Sequence, residues 1–124
     1  MEVTALAALL TYFLVAVPGP GQTVRAVEVV LVVNRHFPVE ARATMMCIGF
    51  WETRQDPYSN KLVGAAGEVS WLQIHPIHLD RWPRAWLRES VDNAAQAGRQ
   101  IYEDSLARGK SGFAPWATYW SFCR

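Results

Sequence analysis

Charge is scarce in this sequence, and cysteine scarcer still. Charged residues make up 19% of the chain and the formal net charge is +1, so there is no clustered basic surface of the kind that neutralises phosphates, and no nucleic-acid partner is expected. Arg81, Arg84 and Arg88 stand close together around a Trp-Pro turn, which reads as a solvated face. The two cysteines, Cys47 and Cys123, come without a CxxC or Cys-His spacing, which removes the usual zinc frameworks. His75, His78 and Asp80 give H-x-x-H-x-D, but Pro76 breaks the helix that would set both imidazoles on one face, and no metal or other cofactor is expected. No internal repeat is present, which excludes solenoids.

Long apolar runs are also few. The longest, "VTALAALLTYFLVAV" at 3–17, is shorter than the ~20 residues that span a bilayer. It suits the apolar core of a signal peptide, but Glu2 stands where a basic flank belongs, and no small-x-small cleavage site follows. Export signal, membrane anchor and packing helix therefore all stay open, and with them a membrane contact. "PGPG" at 18–21 is a natural boundary. The expected division is an N-terminal apolar segment at 1–21 and one domain at 22–124.

Hydrophobic residues reach 51% in a chain of 124, enough for one core that buries roughly two thirds of the unfolded surface. In "VRAVEVVLVVNR" periodicity does not separate a buried helix from a buried strand. Pro38 and Glu40 suit a helix start, and only Gly49 interrupts the run that follows, so a helix over 38–53 is expected. On it Ala41, Met45, Ile48 and Glu52 fall on one stripe. Asp-Pro, Ser-Asn and Gly64 then signal turns, and "EVSWLQIHP" reads as a small irregular hairpin. A short helix or turn broken at Pro83 comes next, then a helix from Ser90 as N-cap to about Arg108, with Ala94, Ala97, Ile101 and Tyr102 inside and Gly109 as its stop. An aromatic tail closes the sequence.

Glu52 is the residue that carries chemistry. A carboxyl group on an apolar stripe loses hydration when ionised, so its pKa rises and it stays protonated closer to neutrality. That makes a general acid of the kind glycosidic cleavage requires, and lysozyme seats its acid Glu in an apolar pocket beside a Trp. Phe50 and Trp51 offer similar company. The plain alternative is a glutamate that caps or pairs at the helix end.

The order "ET", "DPYSN", "GEVSWLQIHP", then an Ala-rich helix and "GFAPW", resembles the lysozyme-like superfamily: soluble lytic transglycosylases, goose-type lysozymes and the wall-degrading domains of phages. The resemblance spans about 24–120 and is carried by order and spacing more than by any one motif. It implies a mainly α, lysozyme-like domain with a small irregular β-hairpin beside the cleft. It also implies cleavage of the β-1,4 bond between N-acetylmuramic acid and N-acetylglucosamine in peptidoglycan. Glu52 matches the catalytic acid/base, and Gln73 the active-site glutamine. Thr53, Ser70, Trp71, Trp116 and Tyr119 are the further substrate-binding candidates, the aromatic ones for sugar stacking.

The sequence departs from that pattern in three places. Thr53 stands for the usual Ser, Ser70 for a Gly three residues before the glutamine, and "APWATY" for a late Tyr-Asn motif, which is closer to the phage and actinobacterial branches. Small secreted relatives there join a Cys near the catalytic Glu to a C-terminal Cys. The resemblance thus implies a Cys47 to Cys123 disulfide, which the residues alone leave open against two separate buried thiols; such a bond is worth about 4 kcal/mol in the chain-entropy account. Glu68 is the first candidate for a second carboxylate, ahead of Asp56 and Asp80, although a single-Glu mechanism needs none. The implied partners are peptidoglycan strands and, for a phage protein, other virion proteins; the implied locations are secreted, wall-associated or virion. Two other classes remain: a non-catalytic lysozyme-like module of wall or virion, favoured by Ser70, and a small membrane protein with two apolar helices.

Overall fold

The computed structural model describes residues 20–124, so the readings of the run at 3–17 lie outside the described residues. The described chain is mainly helical. Helix α1 spans Pro20–His36, α2 Val39–Glu52, α3 Arg84–Glu89 and α4 Val91–Ala107, with a 3₁₀ turn at Pro76–His78 and a π turn at Tyr119–Cys123. Helix α1 packs on α2 and α4, α3 packs on α4, and the π turn packs on α2. No described helix is long and apolar enough to cross a membrane.

The ambiguous valine-rich segment is helical, and its burial shows why. Ala26, Val29, Val30, Val33 and Phe37 are buried while Val27, Glu28, Leu31 and Asn34 are exposed, a helical rather than a two-residue period. In α2 the expected stripe is real: Ala41, Met45 and Ile48 are fully buried. Pro38 precedes the helix as its N-cap in extended conformation, ψ 153°, instead of being its first helical residue. Gly49 is tolerated in mid-helix because the Trp71 ring lies against it, so close that a Cβ there would fall 2.6 Å from two ring carbons.

Helix α4 starts as expected. The Ser90 hydroxyl accepts from the Asn93 amide at 3.0 Å, and Ala94, Ala97, Ile101 and Tyr102 are buried. It ends at Gly109, φ 74°, a left-handed backbone that glycine adopts without cost. Pro83 separates the 3₁₀ turn from α3 and serves as the N-cap of α3.

The expected hairpin does not form as strands. The segment after α2 makes two isolated antiparallel bridges, Val63 with Val69 and Val69 with Ile74, joined by turns with Gly67 at φ 90°, Ser70 at φ 79° and Gln73 at φ 48°. Three left-handed residues in one short stretch interrupt any regular ladder. Side chains hold it instead: Asn60 donates from Nδ2 to the Leu87 carbonyl at 3.0 Å and accepts from the Trp71 amide at 3.1 Å. Tyr58 donates its phenol to the Met46 carbonyl at 2.9 Å.

Cys47 and Cys123 form a disulfide with a Cα separation of 5.8 Å. It ties the π turn to α2, one and a half helical turns before Glu52, and closes a loop across a sequence separation of 76.

Candidate active site

Glu52 is the last residue of α2, where the stripe of Met45 and Ile48 runs out of the core. Its side chain is half-buried, and Thr118 Oγ1 donates to Oε1 at 3.0 Å. Burial pushes the carboxyl above the ordinary glutamate value; the Thr118 hydrogen bond opposes that rise and the nearby Glu68 charge adds to it. Desolvation is the largest of the three, so Glu52 keeps its proton to higher pH than a solvated glutamate.

The surface around Glu52 is a cleft with two lobes. One, of about 290 Å³, is lined by Glu52, Glu68, Gln73, Ile74, His78 and Trp116 among others. The other, of about 280 Å³, is lined by Trp51, Glu52, Leu62, Gly64 and Gln73 among others. Glu52 and Gln73 belong to both, so the acid and the amide flank the passage between them. Gln73 is held rigidly: Nε2 donates to the Ser70 carbonyl at 2.8 Å and to the Leu62 carbonyl at 3.1 Å. That leaves its Oε1 toward Gly64, where an added Cβ would stand 2.6 Å from it and 2.0 Å from Glu68 Oε2. Gly64 is therefore required for both polar groups to lie where they do.

Several expected site residues are placed elsewhere. Thr53 is fully buried: its hydroxyl donates to the Gly49 carbonyl at 2.6 Å and accepts from the Tyr58 amide at 2.7 Å, so it shapes the turn after α2 and does not reach the cleft. Ser70 is also buried, and its hydroxyl accepts from the Leu72 amide at 3.3 Å. Trp71 is fully buried and donates Nε1 to the Val91 carbonyl at 3.1 Å; it is a core residue with no face for a sugar. Trp116 does line the cleft, but mostly as its floor, with Nε1 donating to the Leu72 carbonyl at 2.9 Å. Tyr119 packs between the Phe113 and Trp120 rings, with centroids at 5.0 and 4.9 Å. Asp56 is drawn away by Arg25 at 2.7 Å, which holds its carboxyl below the usual range; Asp80 is exposed and lines neither lobe.

One polar partner of the acid escaped the sequence. Thr118 acts on Glu52 across 66 residues, a distance over which no local pattern carries information. Trp51 lines the second lobe, and its ring stacks on Phe122 with centroids 4.1 Å apart and planes at 11°. It is one of the two aromatic residues that the sequence set beside Glu52. Among the described residues no three His, Cys, Asp or Glu side chains group as metal ligands.

The comparisons find no match. Neither a family model, nor a curated protein, nor a solved structure matches this chain. The case for a function therefore rests on the cleft and on the residue pattern.

Proposed function

We propose that this protein is a lysozyme-like domain that cleaves peptidoglycan glycan strands at the β-1,4 bond between N-acetylmuramic acid and N-acetylglucosamine, with Glu52 as acid/base. The observation that carries this reading is Glu52 itself: a carboxyl raised by burial, at the end of a buried helix, in the middle of a two-lobed cleft and flanked by the fixed amide of Gln73. A glycan strand needs an elongated groove with sugars on either side of the bond that breaks. The two lobes have that relation to Glu52.

In the first step Glu52 donates its proton to the leaving glycosidic oxygen as positive charge develops at the anomeric carbon. The resulting carboxylate then takes a proton from the attacking hydroxyl. In a lytic transglycosylase that hydroxyl is the muramic 6-OH and the product is an anhydro ring; in a lysozyme it is water. Glu68, in the same lobe, adds its charge to the burial that raises the Glu52 carboxyl and is the group available as a second carboxylate for hydrolysis. The backbone at Ser70 also fits the resemblance: φ 79° is the conformation for which a glycine is the default, and the resembled pattern has glycine at this position.

Digestion of purified peptidoglycan by the wild type and by Glu52→Gln, with mass spectrometry of the released muropeptides, tests the proposal. The variant is expected to lose about a hundredfold or more in rate, the usual scale of general acid catalysis. Products one water lighter than reducing sugars identify a transglycosylase, and hydrated ends a lysozyme. Folded wild type that releases nothing from several wall types refutes the enzyme and leaves a wall-binding or virion module.

A further inference from the structure

A third lobe, of about 360 Å³, continues the cleft past the acid. It shares His75, His78, Ile101 and Pro115 with the lobe that holds Glu52 and Glu68. Its own walls add Arg81, Asp104, Arg108 and Lys110. Arg81 is engaged by Asp104 at 2.9 Å. Arg108 and Lys110 are exposed and enter no ion pair among the described residues. His78 is held below the ordinary histidine value by burial and by the Arg81 and His75 charges, so it adds little positive charge at neutral pH. Asp104 also feels the Arg108 charge, but one carboxylate stands against Arg81, Arg108 and Lys110, so the groove is polarised, with two carboxyl groups in the lobe of the acid and an excess of positive charge in the lobe beyond it.

The turn that carries those cations is braced. Arg108 caps α4, Gly109 takes φ 74°, and the Lys110 amide closes back on the Ser105 carbonyl at 3.1 Å. The buried Ser105 hydroxyl donates to the Ser111 carbonyl at 2.6 Å. Cations at a helix C-terminus also complement its dipole, but that effect does not require them to line a cavity continuous with the acid.

We propose that this lobe is a subsite for the carboxylates of the peptide stem carried by a muramic residue next to the bond that is cleaved. The assignment rests on the peptidoglycan reading above and names its substrate: glycan that still bears stems. The sugar rings are neutral, and the lactyl carboxyl of muramic acid is consumed in the amide that carries the stem, so the stem's own carboxylates are the anionic groups offered to this cationic lobe. They suit the forked guanidinium of Arg108 and the ammonium of Lys110.

The test is binding, which needs no turnover. Calorimetry on the full chain carrying Glu52→Gln would compare a disaccharide-tetrapeptide with the stem-free disaccharide whose lactyl carboxyl is capped as a neutral amide. The stem-bearing ligand is expected to bind about tenfold more tightly, a difference of about 1.4 kcal/mol. Adding Arg108→Gln and Lys110→Gln brings that ratio to about one, and Arg108→Lys with Lys110→Arg restores most of it. A ratio of one in Glu52→Gln, or a ratio unmoved by the double neutralisation, overturns the subsite. Should the wild type cleave no wall while the ratio behaves as stated, the catalytic reading falls and the subsite stands; cleavage without the ratio gives the reverse.

Discussion

Gly49→Ala sets two known effects against each other three residues before the acid. Alanine in a helix interior is favoured over glycine by about 1 kcal/mol. The new methyl, however, would lie 2.6 Å from Cε3 and Cζ3 of Trp71 and 3.2 Å from a ring carbon of Tyr58. Trp71 has nowhere to go: it is fully buried and its indole N–H is held by the Val91 carbonyl at 3.1 Å. Overpacking a rigid core costs about 1–3 kcal/mol, and straining the indole hydrogen bond adds about 1 kcal/mol. The net expectation is a loss of about 1–3 kcal/mol, a fall in Tm of roughly 4–12 °C for a domain near this size. Thermal and urea unfolding followed by circular dichroism measure it, with the disulfide intact and the urea m-value unchanged. Gly21→Ala is the control, since a Cβ there meets nothing within 4 Å, and its Tm should hold or rise slightly. A Gly49→Ala protein as stable as wild type would refute the tight seating of Trp71 on α2.

The two neighbours of Glu52 should move its pKa in opposite directions. Thr118→Val removes the hydrogen bond that lowers it, so the alkaline limb of the activity profile moves to higher pH; Glu68→Gln removes the charge that raises it, and the limb moves to lower pH. Because the folded state holds the Glu52 proton more tightly than the unfolded chain, ionising it costs stability as pH rises above the ordinary glutamate range. Glu52→Gln should therefore gain stability relative to wild type between acid and neutral pH, as read by Tm against pH. Thr53→Val leaves the buried Tyr58 amide without its acceptor and should cost about 1–3 kcal/mol, whereas Thr53→Ser should keep both stability and activity. Replacing Cys47 and Cys123 with alanine should cost up to about 4 kcal/mol in denaturant unfolding.

What could be read from the sequence was what is periodic or locally capped. The stripe through Met45 and Ile48 to Glu52, and the Ser90 start of α4, follow from helical spacing and a single hydroxyl. The valine-rich α1 did not resolve, because its apolar residues nearly surround the helix and only packing separates Val29 from Leu31. Of the three aromatic candidates Trp116 lines the cleft, whereas Trp71 and Tyr119 line neither lobe, for a related reason. Trp71 and Tyr119 have the composition of a sugar platform, but indole and phenol rings fill a core equally well, and which of the two happens depends on elements far along the chain. Ser70 and Gln73 lie in left-handed backbone that their side chains do not announce. Glu52 and Gln73 stood out by type and spacing, and the cleft that brings them together with Glu68 lay beyond that.

Three ties that complete the cleft are long in sequence: 66 residues from Thr118 to Glu52, 44 from Trp116 to Leu72, 76 across the disulfide. Loop-closure entropy makes such ties late events in folding, while turns of α2 and α4 form from near neighbours. The helices thus precede the site in time. A chain that has gained its helical signal but not yet docked its 116–123 stretch carries Glu52 as an ordinary solvated carboxylate, so recovery of activity on refolding should lag behind recovery of helicity.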